Sequence, residues 1–297
     1  MADKLKTEAG NLLSGLLKGL KEMQGRNAFK NFDYQVAQAQ LSVEMKTATD
    51  YRAELALSLT TTKKKITTVW LHFPDCEALD AKQHPAHRCE LKRAGEYLGL
   101  SLATPLTPQT PTVVTLRYKF SPGPRGEMPF PVMPTIRFPL EVEGKCGQGY
   151  EMIFPGTKLA ETMDRGLRVY QWQAGRVFKL FLLALHDPQR YLVESGDNKF
   201  YFYYSQFSAA NAKAVAETLA EIYTAQVKMN GPLPSKDYYI VEVNPKLCSA
   251  PVGLGGLIMV PNGLFKVFDK ARATGIIENE LLREWKGRKG EQLKEVR

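Results

Sequence analysis

One segment near the C-terminus has the spacing, but not the residues, of a metal-binding helix. Residues 279–287 read Asn-Glu-Leu-Leu-Arg-Glu-Trp-Lys-Gly. Side chains four positions apart on a helix face the same way, so two histidines at this spacing can bind one zinc ion. A glutamate next to the first histidine can then take a proton from the water bound to the zinc. Asn279 and Arg283 keep this spacing, but an amide is a poor zinc ligand and a guanidinium is a permanent cation. We therefore expect no metal here.

Glu280 is the residue of this segment that could act as a general base, and without a metal we interpret it as vestigial. We therefore predict no catalytic residue. The Arg283 guanidinium could pair with Glu280 and so place a salt bridge where a metal would lie. The alternative is an ordinary surface helix that carries Glu, Arg and Lys.

A second group of residues could hold a metal by type alone. Cys76, His84, His87 and Cys89 lie within fourteen positions, in a segment that we predict to be a loop. Their Cys-x₇-His-x₂-His-x-Cys spacing matches none of the usual structural zinc patterns. This cluster is a weaker alternative to a loop with unrelated Cys and His residues.

Residues 251–256, Pro-Val-Gly-Leu-Gly-Gly, contain no acidic side chain that could hold a substrate's amino group. Their glycines also lack the spacings of phosphate-binding loops. We interpret them as a connection between two strands, with glycines at positive φ.

These two segments together resemble the core of the zinc aminopeptidases of the alanyl-aminopeptidase and leukotriene-hydrolase family (gluzincins). In that family a Gly-x-Met-Glu-Asn motif precedes a Gly-Leu-Ile strand, and a His-Glu-x-x-His-x-Trp-x-Gly helix follows. Residues 249–261 and 279–287 keep this frame, with Gly-Leu-Ile-Met in the first and Trp-x-Gly in the second.

The resemblance implies a catalytically silent relative. It places Asn279 and Arg283 at the two histidine ligands, Gly253 and Leu254 at the Glu and Asn that hold the substrate's amino terminus, and Glu280 at the general base. The sequence ends soon after this helix, so the resemblance also implies a truncated chain. The third zinc ligand, the oxyanion tyrosine and the helical C-terminal domain would be missing.

Composition indicates a globular protein and excludes several classes. The 297 residues are 44% hydrophobic and 24% charged, with a net charge of +9. No apolar run is long enough to span a membrane, and the N-terminus lacks a secretory pattern. Four widely spaced cysteines favour a reducing compartment. We expect a cytoplasmic protein, with membrane association as an alternative, and no nucleic acid partner, since no dense basic face with aromatics is evident.

The first 28 residues predict an amphipathic helix that needs a surface to lie on, because three glycines weaken it. It could pack on its own body, dock on a protein partner or lie on a membrane. The residues that we assign to partner or membrane docking are Leu12, Leu13, Leu16, Leu17 and Leu20.

From residue 31 to 207 the pattern is that of short strands, and after 208 it becomes helical. We predict strands at 34–43, 51–60, 66–73, 94–102, 112–120, 167–172, 177–185, 191–194, 200–204, 238–243 and 256–260, and helices at 209–229 and 274–285. The predicted fold is β-rich α+β: an N-terminal β-sandwich-like domain (31–207) follows the amphipathic helix (1–30) and precedes a truncated thermolysin-like α+β subdomain (208–297).

These expectations favour a non-catalytic aminopeptidase-like protein, a pseudoenzyme that binds or scaffolds a partner and uses no cofactor. We predict that another subunit, the same chain or a different one, covers an apolar surface formed by residues 209–229 and 274–285. Two alternatives stay open. The chain could be a hydrolase subunit that another polypeptide completes, or a peripheral membrane protein anchored by residues 1–28.

Overall fold

A computed structural model describes residues 34–62, 65–73, 76–85, 87–108, 111–121, 138–174, 182–233, 235–246, 248–254 and 256–295, with only the backbone described at 254, 283, 284 and 286–295. The predicted N-terminal helix and its five leucines lie outside these residues. Within them, no helix is both long and apolar enough to cross a membrane.

The described residues form a strand-rich α+β structure. Its strands are β1 (Tyr34–Met45), β2 (Tyr51–Thr61), β3 (Ile66–His72), β4 (Cys76–Gln83), β5 (His87–Arg88), β6 (Glu90–Ala94), β7 (Tyr97–Leu106), β8 (Thr112–Phe120), β9 (Leu140–Gly147), β10 (Tyr150–Ile153), β11 (Thr157–Asp164), β12 (Leu167–Ala174), β13 (Leu183–His186), β14 (Gln189–Ser195), β15 (Asn198–Tyr204), β16 (Asp237–Val243), β17 (Val252–Leu254) and β18 (Leu257–Pro261). A 3₁₀ helix (Gln206–Asn211) leads into α1 (Ala212–Asn230), and α2 spans Lys270–Glu295.

The chain divides into two compact units, and the first holds residues up to 121 together with 129–140. Its larger sheet has the antiparallel order β1-β2-β8-β4-β5, and β3, β7 and β6 form a second sheet. Burial alternates along β2, where every second residue from Tyr51 to Thr61 is buried. This alternation is the period-2 pattern from which the strands were predicted.

The second unit holds residues 141–297 together with 122–128. Its main sheet has the order β14-β15-β16-β18-β17, in which β15, β16 and β18 run parallel and the two outer strands are antiparallel to their neighbours. All seven residues of β16 are buried, as expected for a central parallel strand covered on both faces. Helices α1 and α2 share one apolar core with one face of this sheet.

The predicted change from strands to helices after 208 coincides with the 3₁₀ helix and α1. Residue 207 itself lies within the second unit, and the five-stranded sheet has strands on both sides of it. The sandwich-like first domain and the thermolysin-like subdomain remain predictions. The predicted loop around residues 76–89 is wrong, because β4 pairs with β8 along this stretch and β5 pairs with β4.

Candidate functional site

The candidate site lies where α2 passes the edge strand β17. Helix α2 begins at a cap, since Asp269 Oδ1 accepts hydrogen bonds from the backbone amides of Ala271 (2.9 Å) and Arg272 (3.1 Å). One side of the helix is buried at intervals of four residues, at Ala273, Ile277, Leu281 and Trp285. This stripe turns the neighbouring residue, Glu280, towards the sheet.

Glu280 is buried, with 7% of its surface exposed, and its Oε2 accepts a hydrogen bond of 2.8 Å from the Gly253 backbone amide. Gly253 lies in the middle of β17, opposite Ile258 of β18. A Cβ atom at Gly253 would lie 2.8 Å from Glu280 Cβ and 3.2 Å from the Glu280 carbonyl oxygen. The strand and the helix therefore touch directly at this point, and only glycine fits without a shift.

This geometry corrects our interpretation of the glycine segment. Gly256 has the positive φ that we expected of a strand connection (+88°). At Gly253, Glu280 of α2 comes so close that a larger side chain would collide with it. Glycine is therefore required here by the lack of space and not by the backbone angle.

The residues at this position do not fit a zinc ion. The side chain of Asn279 is exposed rather than directed at the carboxylate of Glu280, and that carboxylate already binds a backbone amide. The side chain of Arg283 lies outside the described residues, so its pairing with Glu280 stays a prediction. Across the described part of the chain, no three His, Cys, Asp or Glu side chains lie close enough together to hold a metal.

The tryptophan of the Trp-x-Gly segment has a structural role. Trp285 Nε1 donates a hydrogen bond of 2.9 Å to the carbonyl oxygen of Gly231, the residue that follows α1. Its ring lies 5.9 Å from that of Tyr223 on α1. Trp285 therefore fixes α2 against the C-terminal end of α1.

The alternative cysteine and histidine cluster does not assemble in the structure. Cys76 begins β4 and His84 follows its end, and an extended strand of this length separates them by roughly 25 Å. His84 instead lies 2.9 Å from Thr115 Oγ1, and His87 is exposed. Cys89 is buried, and burial raises the pKa of its thiol. These four residues cannot share one metal ion.

Glu242 and Asp237 are buried acids that were not singled out in the sequence. Glu242 accepts hydrogen bonds from the amide (2.8 Å) and hydroxyl (2.6 Å) of Ser205, the hydroxyl of Ser208 (2.6 Å) and the amide of Gly263 (3.2 Å). Asp237 accepts one from the Lys158 amide (2.7 Å), and burial raises the pKa of its carboxyl group. An acid inside the apolar run Asp-Tyr-Tyr-Ile-Val-Glu-Val was the available signal, because a buried acid requires partners.

The helices do not present the apolar surface that we expected. Among the described residues of α1 and α2, the one strongly exposed large apolar side chain is Met229, while Lys213, Glu217 and Lys228 lie outward on α1. The other apolar side chains of this unit that are more than 60% exposed among the described residues, Phe207 (64%) and Val267 (77%), lie outside both helices.

Solved structures with the same fold are M1 zinc metallopeptidases. The enzyme from Deinococcus radiodurans superposes with a TM-score of 0.61 at 12% identity, over 82% of this chain and 63% of that one. A mutant of it bound to the substrate Tyr-Ser-Ala superposes with a TM-score of 0.61 at 13% identity, over 81% of this chain and 62% of that one. A two-domain M1 zinc metallopeptidase mutant bound to L-arginine superposes with a TM-score of 0.62 at 13% identity, over 84% of this chain and 64% of that one.

The chain thus has the M1 peptidase fold and spans less than two thirds of the length of these structures. No family model matches the sequence, and neither does any curated protein. At such low identity the likeness concerns the fold alone.

Proposed function

We propose that this chain is a non-catalytic, aminopeptidase-like protein that acts as a binding or scaffolding subunit of a larger complex. The observation that carries the proposal is the hydrogen bond from the Gly253 amide to the buried carboxylate of Glu280. This hydrogen bond supports the proposal because it engages Oε2 of the residue that the resemblance places at the general base.

Catalysis of the M1 type would require features that these positions do not offer. A zinc hydrolase needs three protein ligands, an open position for water and a base. Asn279 and Arg283 supply an amide and a guanidinium at the ligand spacing. An acid at 253 to hold a substrate's amino group would have to displace the α2 backbone, since even a Cβ comes within 3.2 Å of a helix carbonyl.

The competing function is a hydrolase subunit completed by a second polypeptide. One observation favours it: Glu280 is retained. It predicts activity in the native complex but not in the isolated chain.

Cleavage of aminoacyl-anilide substrates tests both functions. Two samples are assayed: the purified chain with added Zn²⁺, and the native complex isolated through an affinity tag on this chain. We expect neither to show turnover that depends on Glu280. The matched variant is Glu280→Gln, which keeps an oxygen acceptor for the Gly253 amide. Activity of the complex that disappears in this variant would contradict the proposal and establish the competing function.

The proposed role for residues 1–28 is docking on a protein. Flotation with liposomes of anionic and neutral lipid, with the full chain and with a chain lacking these residues, tests it. We expect neither chain to float. Flotation of the full chain alone would replace the scaffold proposal with a peripheral membrane protein.

A further inference from the structure

The outer face of the larger sheet in the first unit forms a groove of about 640 Å³. It crosses the sheet, from β1 and β2, over β8, to β4 and β5. Its lining includes Arg52, Glu54, Leu79, Lys82, Arg88 and Arg117. These side chains point away from the core, so the groove is a surface feature and not a packing defect.

The β4–β5 end of the groove carries excess positive charge. Lys82 and Arg88 are directly opposite each other in the antiparallel pair, where like charges destabilise a sheet. Lys82 and Arg88 both act on the carboxylate of Asp80 through their charge, but its hydrogen bonds go to Arg117, whose Nε donates to Asp80 Oδ1 at 2.6 Å and whose second nitrogen contacts the other oxygen. In the described part of the chain, neither Lys82 nor Arg88 forms an ion pair.

An apolar side chain lies among these charges. The pairing register of β4 with β8 shifts between Ala78 and Asp80, so Leu79 is the extra residue of a β-bulge. Bulges change the direction of a side chain, and Leu79 is 46% exposed in the groove.

The opposite end of the groove is closer to neutral. Glu44 and Glu54 lie there with Arg52, and Lys46 pairs with Glu44. An anionic ligand is therefore attracted to the β4–β5 end and not to the β1–β2 end.

We propose that this groove binds an acidic segment of a partner protein, with carboxylates against Lys82 and Arg88 and an apolar side chain against Leu79. The inference rests on the proposed binding function and names the kind of partner. Carboxylates would relieve the repulsion between the two opposed cations through charge-assisted hydrogen bonds. Contact with Leu79 would add the apolar anchor that binding surfaces commonly use.

The probe is a fluorescein-labelled ten-residue peptide of alternating Glu and Leu, titrated with the full chain and followed by anisotropy. We expect saturable binding that weakens with added salt, since exposed charges are screened. The peptide with Lys in place of Glu should not bind. The Lys82→Glu/Arg88→Glu variant should weaken affinity by about tenfold or more, since close charge pairs contribute on this scale.

The matched control is Lys228→Glu/Arg272→Glu, which changes the total charge equally on exposed positions of α1 and α2. It should retain affinity within about twofold, because neither residue lines the groove. Leu79→Ser should weaken binding several-fold, and Glu54→Gln should not weaken it. Circular dichroism checks the fold of each variant, and Lys82→Gln/Arg88→Gln repeats the test without charge reversal.

Equal losses in the two double variants would show general polyanion attraction and overturn the proposal. Competition by oligouridylate at equal charge concentration would also overturn it, in favour of a nucleic acid partner. Absence of peptide binding would refute the proposal that the groove binds an acidic segment. It would not affect the hydrolysis test of the non-catalytic function, so the two proposals can fail separately.

Discussion

Gly253 and Glu280 are 27 positions apart in the chain and form one contact that defines the candidate site. The prediction that Asn279 and Arg283 hold no zinc comes from residue types alone, because an amide is a poor zinc ligand and a guanidinium is a permanent cation. The contact was not readable, since no local pattern tells which strand residue meets which helix residue. The sequence singled out Glu280, and its hydrogen-bond partner Gly253 appears only in the structure.

Substitution of Gly253 by Ala tests this contact. The added methyl group would overlap Glu280 Cβ and approach the α2 backbone, so we expect a loss of about 1–3 kcal/mol in the free energy of unfolding. Urea unfolding measures it. The control is Gly275→Ala in α2, where a Cβ meets nothing within 4 Å and should stabilise the helix by up to about 1 kcal/mol. Equal effects of the two substitutions would contradict the described contact.

At the scale of elements, periodicity located α1, α2 and most strands. It failed for β4 to β6, for β9 to β11 and for β17. The sequence from 76 to 94 is polar and rich in charges, and its strands depend on pairing with β8 and β7. Propensity is weak evidence for such strands, since their stability comes from neighbours. The groove was missed for the same reason, as its charges come from separate strands.

Glu242 connects the end of β16 to the 3₁₀ helix and to the segment before α2. Every hydrogen bond that it makes to Ser205, Ser208 and Gly263 requires an acceptor. Glu242→Gln introduces an NH₂ donor there, so we expect about 1–3 kcal/mol of destabilisation by thermal or urea unfolding. Glu217→Gln, on the exposed side of α1, should change stability by less than about 0.5 kcal/mol. If Glu242→Gln left the free energy of unfolding unchanged, this carboxylate would not hold the three segments together.

Asp237, at the start of β16, predicts a pH dependence. Burial raises the pKa of its carboxyl group in the folded state, so its contribution to stability is present below the unfolded pKa of about 4 and lost as the pH rises through the folded pKa. Asp237→Asn stays neutral and can still accept the Lys158 hydrogen bond. We therefore expect the variant to gain stability relative to the unaltered chain between about pH 4 and 7.

Urea midpoints at several pH values measure this difference. The control is Asp197→Asn, whose carboxylate is exposed and lies 3.2 Å from Lys236, and it should show no such gain. If the stability of Asp237→Asn relative to the unaltered chain stayed constant or fell as the pH rises, the predicted direction of the pH dependence would be wrong.

At the scale of the whole molecule, the chain has an M1 peptidase fold, and we propose that its residues at the metal position do not hold zinc. Fold alone does not determine function, which depends on the site. The sequence predicted the frame through element order, and its residue types led us to predict that the ligands are lost. It did not predict the charged groove that we propose as a binding surface, which lies in the first unit.

Zinc binding by the full chain tests the central claim most directly. Equilibrium dialysis against Zn²⁺ followed by elemental analysis, on the unaltered chain and on Glu280→Gln, measures the metal held at this position. We predict well below one tightly bound zinc per chain, with no difference between the two proteins. One tightly bound zinc per unaltered chain would contradict the account, whether or not Glu280→Gln retains it, because the resemblance places Glu280 at the base and not among the ligands.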